Sequence, residues 1–147
     1  MAEAIVDANA YMTLATADAA GAPWASPVWF APDAYRQLLW VSRPDARHSR
    51  NVAARPEVGI VIFDSTVAED EAQAVYFDAT AGLAPEVDLE PLMDVFSERS
   101  VARLGVPWPV AKVTGDAPHR LYVATVQQAY VLTEGDQRLA VTLFEDE

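Results

Sequence analysis

The sequence predicts a mainly β fold, six or seven mostly antiparallel strands forming a small barrel with a few flanking helices. Strand-length runs of alternating apolar and polar residues recur along the chain, short turns rich in Gly, Pro and Asp separate them, and helical stretches are few. That pattern favours a barrel over a parallel sheet, which would need a helix between successive strands. At 147 residues and 52% apolar content the chain has enough material for one core. No Gly- or Ser-rich stretch divides it, so residues 1–147 are read as a single domain.

A brief helix opens the chain at residues 3–10, and residues 11–17 (YMTLATA) alternate as a half-buried strand does. Asp18-Ala19-Ala20-Gly21 is a hairpin turn, with Gly21 free to take positive φ. Residues 24–30 (WASPVWF) form the returning strand. Pro27 lacks an N–H there, so it belongs at an edge or bulge, where a ligand can approach the backbone. A turn over 32–36 leads to a strand at 38–42 (LLWVS), and residues 45–55 then read as a helix, with Asp45 placed to start it and Pro56 just past its end. The apolar run 57–63 (EVGIVIF) is a buried strand. After an acidic, irregular stretch at 64–71, residues 72–83 (AQAVYFDATAGL) suit one long strand bent near Asp78. Residues 87–104 carry Leu89, Leu92, Met93, Phe96 and Val101 at near-helical spacing, an amphipathic helix. Pro107, Pro109 and Pro118 stiffen a loop over 105–118 around Trp108. Residues 121–126 and 129–133 are strand-like and form either a hairpin or a bulged pair.

Charge and composition narrow the function classes. With 22 acidic residues against 10 Lys and Arg, the formal net charge is -12, which argues against nucleic acid and anionic membrane surfaces as partners. The lack of cysteine removes disulfides, thiol nucleophiles, zinc ribbons and iron–sulfur ligation. The opening MAEAIVDANAYM has no basic region and no long apolar core, so neither a signal peptide nor a membrane span is expected, and the cytoplasm is the expected location.

Against that acidic background, Arg43, Arg47, Arg50, Arg55 and His48 gather within thirteen residues. Cationic charge concentrated in one helix points to a small-anion site, phosphate first. A helix N-terminus at residues 46–49 offers unpaired N–H groups and partial positive charge, and Arg47 adds a bidentate fork. The plain alternative is a solvated helix face pairing with the many carboxylates. Other constellations are poorly supported. No G-x-S-x-G elbow, Walker phosphate loop or H-E-x-x-H pair occurs, and Ser26, Ser42 and Ser49 have only two histidines to activate them, so hydrolysis is not expected. No metal site is expected, and His119 reads as a surface or strand-end residue. Trp24, Trp29 and Trp40 read as core or interface aromatics as readily as cofactor contacts. The acidic residues Glu69, Asp70 and Glu71 and the tail Glu145-Asp146-Glu147 read as solubilising charge.

The succession LATADAAGAPWASPVWF, LLWVS, DARHSRNVAARPEVGIVIF and AQAVYFDATA resembles the pyridoxamine 5'-phosphate oxidase-like, FMN-binding split β-barrel proteins. The likeness is good over residues 11–83 and holds in outline over the C-terminal third. It implies a homodimer with FMN in clefts between subunits, acting as a flavin-dependent oxidoreductase on a small-molecule substrate. By resemblance, Ser26, Pro27, Val28 and Trp29 lie along the isoalloxazine ring and touch it largely through backbone. Val41 and Ser42 match a pair that helps hold the ring or the phosphate. Arg47 and His48 occupy the places of an Arg-Lys pair that grips the phosphate, and Gln73 falls at the position of a ring-contacting glutamine on a later strand. His48 carries no fixed charge at pH 7, so the grip leans on Arg47 and is expected to be weaker or pH-dependent unless Arg43 or Arg50 contributes. Trp108 either caps the apolar core or closes over the cofactor of a partner subunit. A pyridoxine-phosphate oxidase proper needs a second phosphate site, for which the C-terminal third offers only Arg120 and Arg138. The alternatives are a deazaflavin-coenzyme-dependent reductase of the same superfamily, a non-catalytic flavin or haem binder, and a cofactor-free domain.

Overall fold

In the strands, every second residue is apolar and turned to one shared interior. Met12 and Leu14, Val28 and Phe30, Leu38 and Trp40, Ile60 and Ile62, and Val75 and Phe77 are all buried there. The computed structural model, which describes residues 1–144, assigns these pairs to five strands. They are β1 (Tyr11–Ala17), β2 (Pro23–Asp33), β3 (Gln37–Ser42), β4 (Glu57–Phe63) and β5 (Ala74–Leu83). With β6 (Arg120–Thr133) and β7 (Gln137–Val141) they form one antiparallel sheet in the order β3-β2-β1-β4-β5-β6-β7. β3 also pairs with β6, from Gln37 opposite Thr125 to Ser42 opposite Arg120. That pairing closes six strands into a barrel and leaves β7 as an extra strand on β6.

Three helices flank the barrel: α1 (Ala2–Ala8), α2 (Arg47–Ala54) and α3 (Leu89–Leu104). The wall made by β2, β3 and β6 is apolar on both faces, which explains the unbroken apolar run at residues 38–41. Leu38 and Trp40 point into the barrel, whereas Leu39 joins Ala31, Leu121 and Val123 in a second core under Leu92, Met93 and Phe96 of α3. Val101, expected on the inner face of that helix, is 49% exposed, and the fully buried Ser100 takes the inward place one residue earlier. At the helix end Gly105, with φ +69°, caps α3 through its N–H to Val101 O.

Turn chemistry fixes the register of β1 and β2. Asp18 Oδ1 accepts from the N–H groups of Ala20 and Ala22 at 2.9 Å each, and Gly21 takes φ +88° as expected. The β2–β3 hairpin is tighter, a loop of three residues, Ala34, Tyr35 and Arg36, the first two at positive φ, a conformation usually given to Asn-Gly. Tyr35 is held by donating its hydroxyl to Asp7 Oδ2 of α1 at 2.7 Å.

Three boundaries differ from expectation. Asp45 does not start α2, because its carboxylate is held by Arg43 Nε at 3.1 Å, and Ala46 stands at the N-cap instead. Residues 121–126 and 129–133 belong to the single strand β6, whose register against β5 slips between Asp78 and Ala79 so that Gln127 has no opposite number. The bend expected near Asp78 is that bulge. The seventh strand is β7, from a segment not singled out in the sequence. The tail Glu145-Asp146-Glu147 lies outside the described residues. Among the described residues no helix is long and apolar enough to cross a membrane.

Candidate functional site

A gap between β2 and β3 positions the site. The two strands pair only from Phe30 opposite Trp40 to Asp33 opposite Gln37. Beyond that, residues 23–29 of β2 keep β1 as their neighbour, while Val41 and Ser42 follow β6. Phe30 N–H donates to Ala10 O on the β1 side, so strand alternation turns the backbone groups of Ala25, Pro27 and Trp29 to the open side. Pro27 thus sits at a local edge, where a missing N–H breaks no ladder.

Helix α2 lies across this end of the barrel. Asn51 Nδ2 donates to Thr16 Oγ1 at 3.0 Å, both residues being buried, and Arg55 donates to Ala19 O in the β1–β2 turn at 3.1 Å. These two anchors carry the start of α2 to Ser42 and Trp24. Ser42 Oγ lies 2.7 Å from His48 Nε2, with the proton's direction set by the imidazole tautomer. Arg47 lays its guanidinium over the Trp24 indole at 4.1 Å. Burial pushes His48 below the usual histidine range, so its imidazole is neutral at neutral pH.

The helix start has unmet polar capacity. Ala46 has no side chain that can accept from the first N–H groups of α2. The Ser49 hydroxyl, on a residue 2% exposed, has no partner among the described residues. Of the nearby cations, Arg43 is paired with Asp45, whereas Arg50, one turn further along α2, is in no ion pair among the described residues. Arg47 has no carboxylate partner among the described residues.

The structure therefore brings Ser42 to His48 and Arg47 to Trp24 at the start of one helix, and Ser26 is half-buried on β2. Val28 points its side chain into the barrel core and, in phase with Phe30, turns its backbone groups to β1, and Val41 packs against the second core. Trp29 sets its ring edge-on to Phe96 at 5.3 Å. Gln73 is elsewhere. It precedes β5 rather than lying on a strand, is exposed, and sits near Met1 Sδ at 3.8 Å. The β4–β5 register puts it beyond Phe63, at the opposite end of β4 from Glu57 and α2, roughly 20 Å away along the strand. Trp108 is half-buried in the second core, edge-on to Phe96 at 5.8 Å and to His119 at 6.3 Å, with its N–H donating to Ser97 Oγ. Within the subunit it packs on that core. Arg120 is bound to the carbonyls of Gly115, Ala117 and His119, and Arg138 to Asp136 and Tyr76, so neither builds a second phosphate site. Among the described residues no cluster of His, Cys, Asp and Glu can hold a metal ion.

Sequence reasoning missed Trp24 as the partner of Arg47 and Asn51 as the anchor of α2. The available signal was parity: Trp24 shares the inward phase of Ser26, Val28 and Phe30, and Asn51 lies one helical turn after Arg47.

A family profile described as pyridoxamine 5'-phosphate oxidase matches residues 1–133. No curated protein matches the chain. Among solved structures, HutZ, the haem storage protein of Vibrio cholerae, is 22% identical, with 88% of this chain and 90% of that chain covered and a TM-score of 0.70. A haem-binding protein from Mycobacterium smegmatis is 20% identical with a TM-score of 0.71; the match covers 97% of this chain and 56% of that one, little more than half its length. A provisionally assigned pyridoxamine 5'-phosphate oxidase from Listeria innocua is 15% identical, with coverages of 88% and 94% and a TM-score of 0.64. At these identities the likeness is one of fold.

Proposed function

The chain belongs to the pyridoxamine 5'-phosphate oxidase family, and on that premise we propose that it binds a phosphate-bearing flavin-type coenzyme at the β2–β3 gap and acts as an oxidoreductase on a small-molecule substrate. FMN is the coenzyme the resemblance implies, and a deazaflavin coenzyme is the alternative. The observation that carries the reading is the uncapped start of α2, where Arg47 lies on Trp24 without a carboxylate partner, Ser42 meets His48 and the Ser49 hydroxyl is orphaned. These groups fit a phosphate: hydroxyls and helix N–H groups donate, and the guanidinium supplies charge. The free backbone groups of Ala25, Pro27 and Trp29 then face the polar edge of a ring laid along β2. Hydride and electron chemistry belongs to the bound coenzyme, so no catalytic side chain is required of the protein.

A homodimer is part of the same reading. Ala15, Gly59 and Val61 line a shallow depression of about 290 Å³ on the outer face of the barrel, and Tyr11 and Phe63 stand 61% and 49% exposed. Such an apolar surface favours a second copy of the chain. Only across an interface of that kind would Gln73 reach a coenzyme. The test is titration of the purified protein with FMN, FAD and riboflavin. Saturable FMN binding well above riboflavin is expected, and no flavin binding at all would retire the assignment.

The haem proteins among the structural relatives support a second reading, a non-catalytic haem binder. His119, edge-on to Trp108, is its candidate iron ligand, because His48 is committed to Ser42. A Soret band on adding haemin, lost in His119→Ala, supports it; no saturable band removes it.

A further inference from the structure

We propose that Trp24 is a positioning residue for the anion site: its indole holds the Arg47 guanidinium by one face and leaves the edge N–H groups of that guanidinium open to the phosphate of a ligand. This rests on the phosphate-anchored reading above and gives a role in it to a residue outside α2.

Three residues spaced four apart, Arg47, Asn51 and Arg55, form one stripe that fastens α2 to the β1–β2 hairpin. Arg47 lies over the Trp24 ring at 4.1 Å, Asn51 Nδ2 donates to the buried Thr16 Oγ1 at 3.0 Å, and Arg55 donates to Ala19 O at 3.1 Å. Thr16 stands opposite Trp24 in the strand register, and its hydroxyl donates to Trp24 O at 3.5 Å. Strand pairing and the Asn51–Thr16 bond thus set the indole against the helix start with no ligand present. Trp24 is 42% exposed and belongs to neither hydrophobic core, so its packing partner is the arginine rather than the barrel interior. It directly precedes Ala25, the first of the open backbone positions of β2, and the guanidinium is held at that end of the open edge.

A guanidinium can be held in two ways. A carboxylate takes the edge N–H groups that a phosphate would need, whereas an aromatic ring takes the flat face and leaves that edge open. Arg43 is held in the first way by Asp45 and Arg47 in the second by Trp24. Arg50 is exposed, with neither a carboxylate nor a ring against it among the described residues. A long side chain that its ligand must first immobilise gives up part of the binding free energy to ordering. The indole does that ordering beforehand, which on the usual scale for one side chain is worth roughly threefold to tenfold in affinity. Only a ligand that carries the phosphate gains by it.

The experiment titrates the whole protein with FMN and with riboflavin, and reads the ratio of the two affinities in wild type, Trp24→Leu, Trp24→Tyr, Arg50→Ala, Arg47→Ala and the double variant Trp24→Leu, Arg47→Ala. Leucine keeps apolar bulk at a partly exposed position without a ring face, and tyrosine restores the face. The preference for FMN is expected to fall roughly threefold to tenfold in Trp24→Leu and to return within about twofold of wild type in Trp24→Tyr. It is expected to stay within about twofold in Arg50→Ala, and Trp24→Leu should cost nothing further once Arg47 is alanine. A preference kept in Trp24→Leu, or lost to the same extent in Trp24→Tyr, overturns the proposal. So does a loss that is as large on the Arg47→Ala background, or one that Arg50→Ala reproduces, since the general field of α2 would then account for it. A wild-type ratio near one overturns the phosphate-anchored reading itself, and the role of Trp24 with it.

Discussion

Helices α2 and α3 both bring arginines to the barrel, and the two sets are used differently. On α3, Arg99 donates to the carbonyls of Val6, Asp7 and Asn9 at 3.5, 3.4 and 3.0 Å, and Arg103 donates to Asp7 O. These are the carbonyls that the last turn of α1 leaves without intrahelical partners, and the guanidiniums close that helix end. Arg99 also lies over Phe30 at 5.4 Å, and burial pushes its pKa down without changing its charge at any ordinary pH. On α2, Arg47 has an aromatic face beneath it and no carboxylate. A guanidinium that donates to the carbonyls of a helix end holds the fold together, and one resting on an indole without a carboxylate is available to a ligand. The denser cluster in the sequence contains the arginine on the indole, and the α3 pair, not singled out in the sequence, is structural.

The contrast can be broken most forcefully at α3. Arg99→Ala is expected to lower the unfolding free energy by about 2–4 kcal/mol, read from the denaturant midpoint, and to leave the preference for phosphorylated flavins unchanged. A loss under about 1 kcal/mol would mean that solvent serves the α1 carbonyls equally well. Arg47→Ala is the reciprocal case. It should weaken a phosphate-bearing flavin by about 1.5–3 kcal/mol in a binding titration, while stability changes by less than about 1 kcal/mol. An Arg47→Ala chain that unfolds readily yet keeps its phosphate preference would exchange the roles of the two helices.

A subtler probe is alkaline pH at the α1–β2 contact. Desolvation and the hydrogen bond to Asp7 raise the Tyr35 hydroxyl to about 12. The folded chain therefore holds that proton after the unfolded chain has released it near its ordinary value of about 10. The stability from this contact is complete below pH about 10 and is lost as pH rises towards about 12. Unfolding followed across that window should show the decline in wild type and a smaller one in Tyr35→Phe, and equal declines would locate the effect elsewhere. The smallest effect belongs to Ser100, fully buried under α3 with its hydroxyl unpartnered. Ser100→Ala should be neutral or stabilise by up to about 1 kcal/mol, and clear destabilisation would reveal a partner for that hydroxyl.

Much of the barrel was legible because its signals are local. β1 falls where alternation put it and β4 where the apolar run put it, and the Asp18–Gly21 turn forms by the expected chemistry. The strand count agrees for a different reason: two expected strands merge in β6, and β7 is the addition. A bulge is a matter of pairing register, which one strand's sequence does not display. The Ala34-Tyr35 turn lacks the glycine that marks such turns, because its hold comes from Asp7, 28 residues away in sequence. At the site, Ser42, Arg47 and His48 were read from the helix and its preceding strand; Ser42 contacts His48, and Arg47 stacks on Trp24. Trp24 and Asn51 were not, since their partners lie on other elements and no local pattern announces a cation–π stack or a Thr–Asn bond. Gln73 was placed by likeness alone, and tertiary structure sets it at the other end of the barrel.

Side-by-side calorimetric titration of the wild type and Arg47→Ala with FMN and riboflavin tests the phosphate anchor most directly. The expected result is FMN binding about tenfold or more tighter than riboflavin in the wild type, with that preference largely gone in the variant. Equal affinity for the two flavins in the wild type, or a preference that survives the loss of Arg47, would contradict a phosphate site at the start of α2.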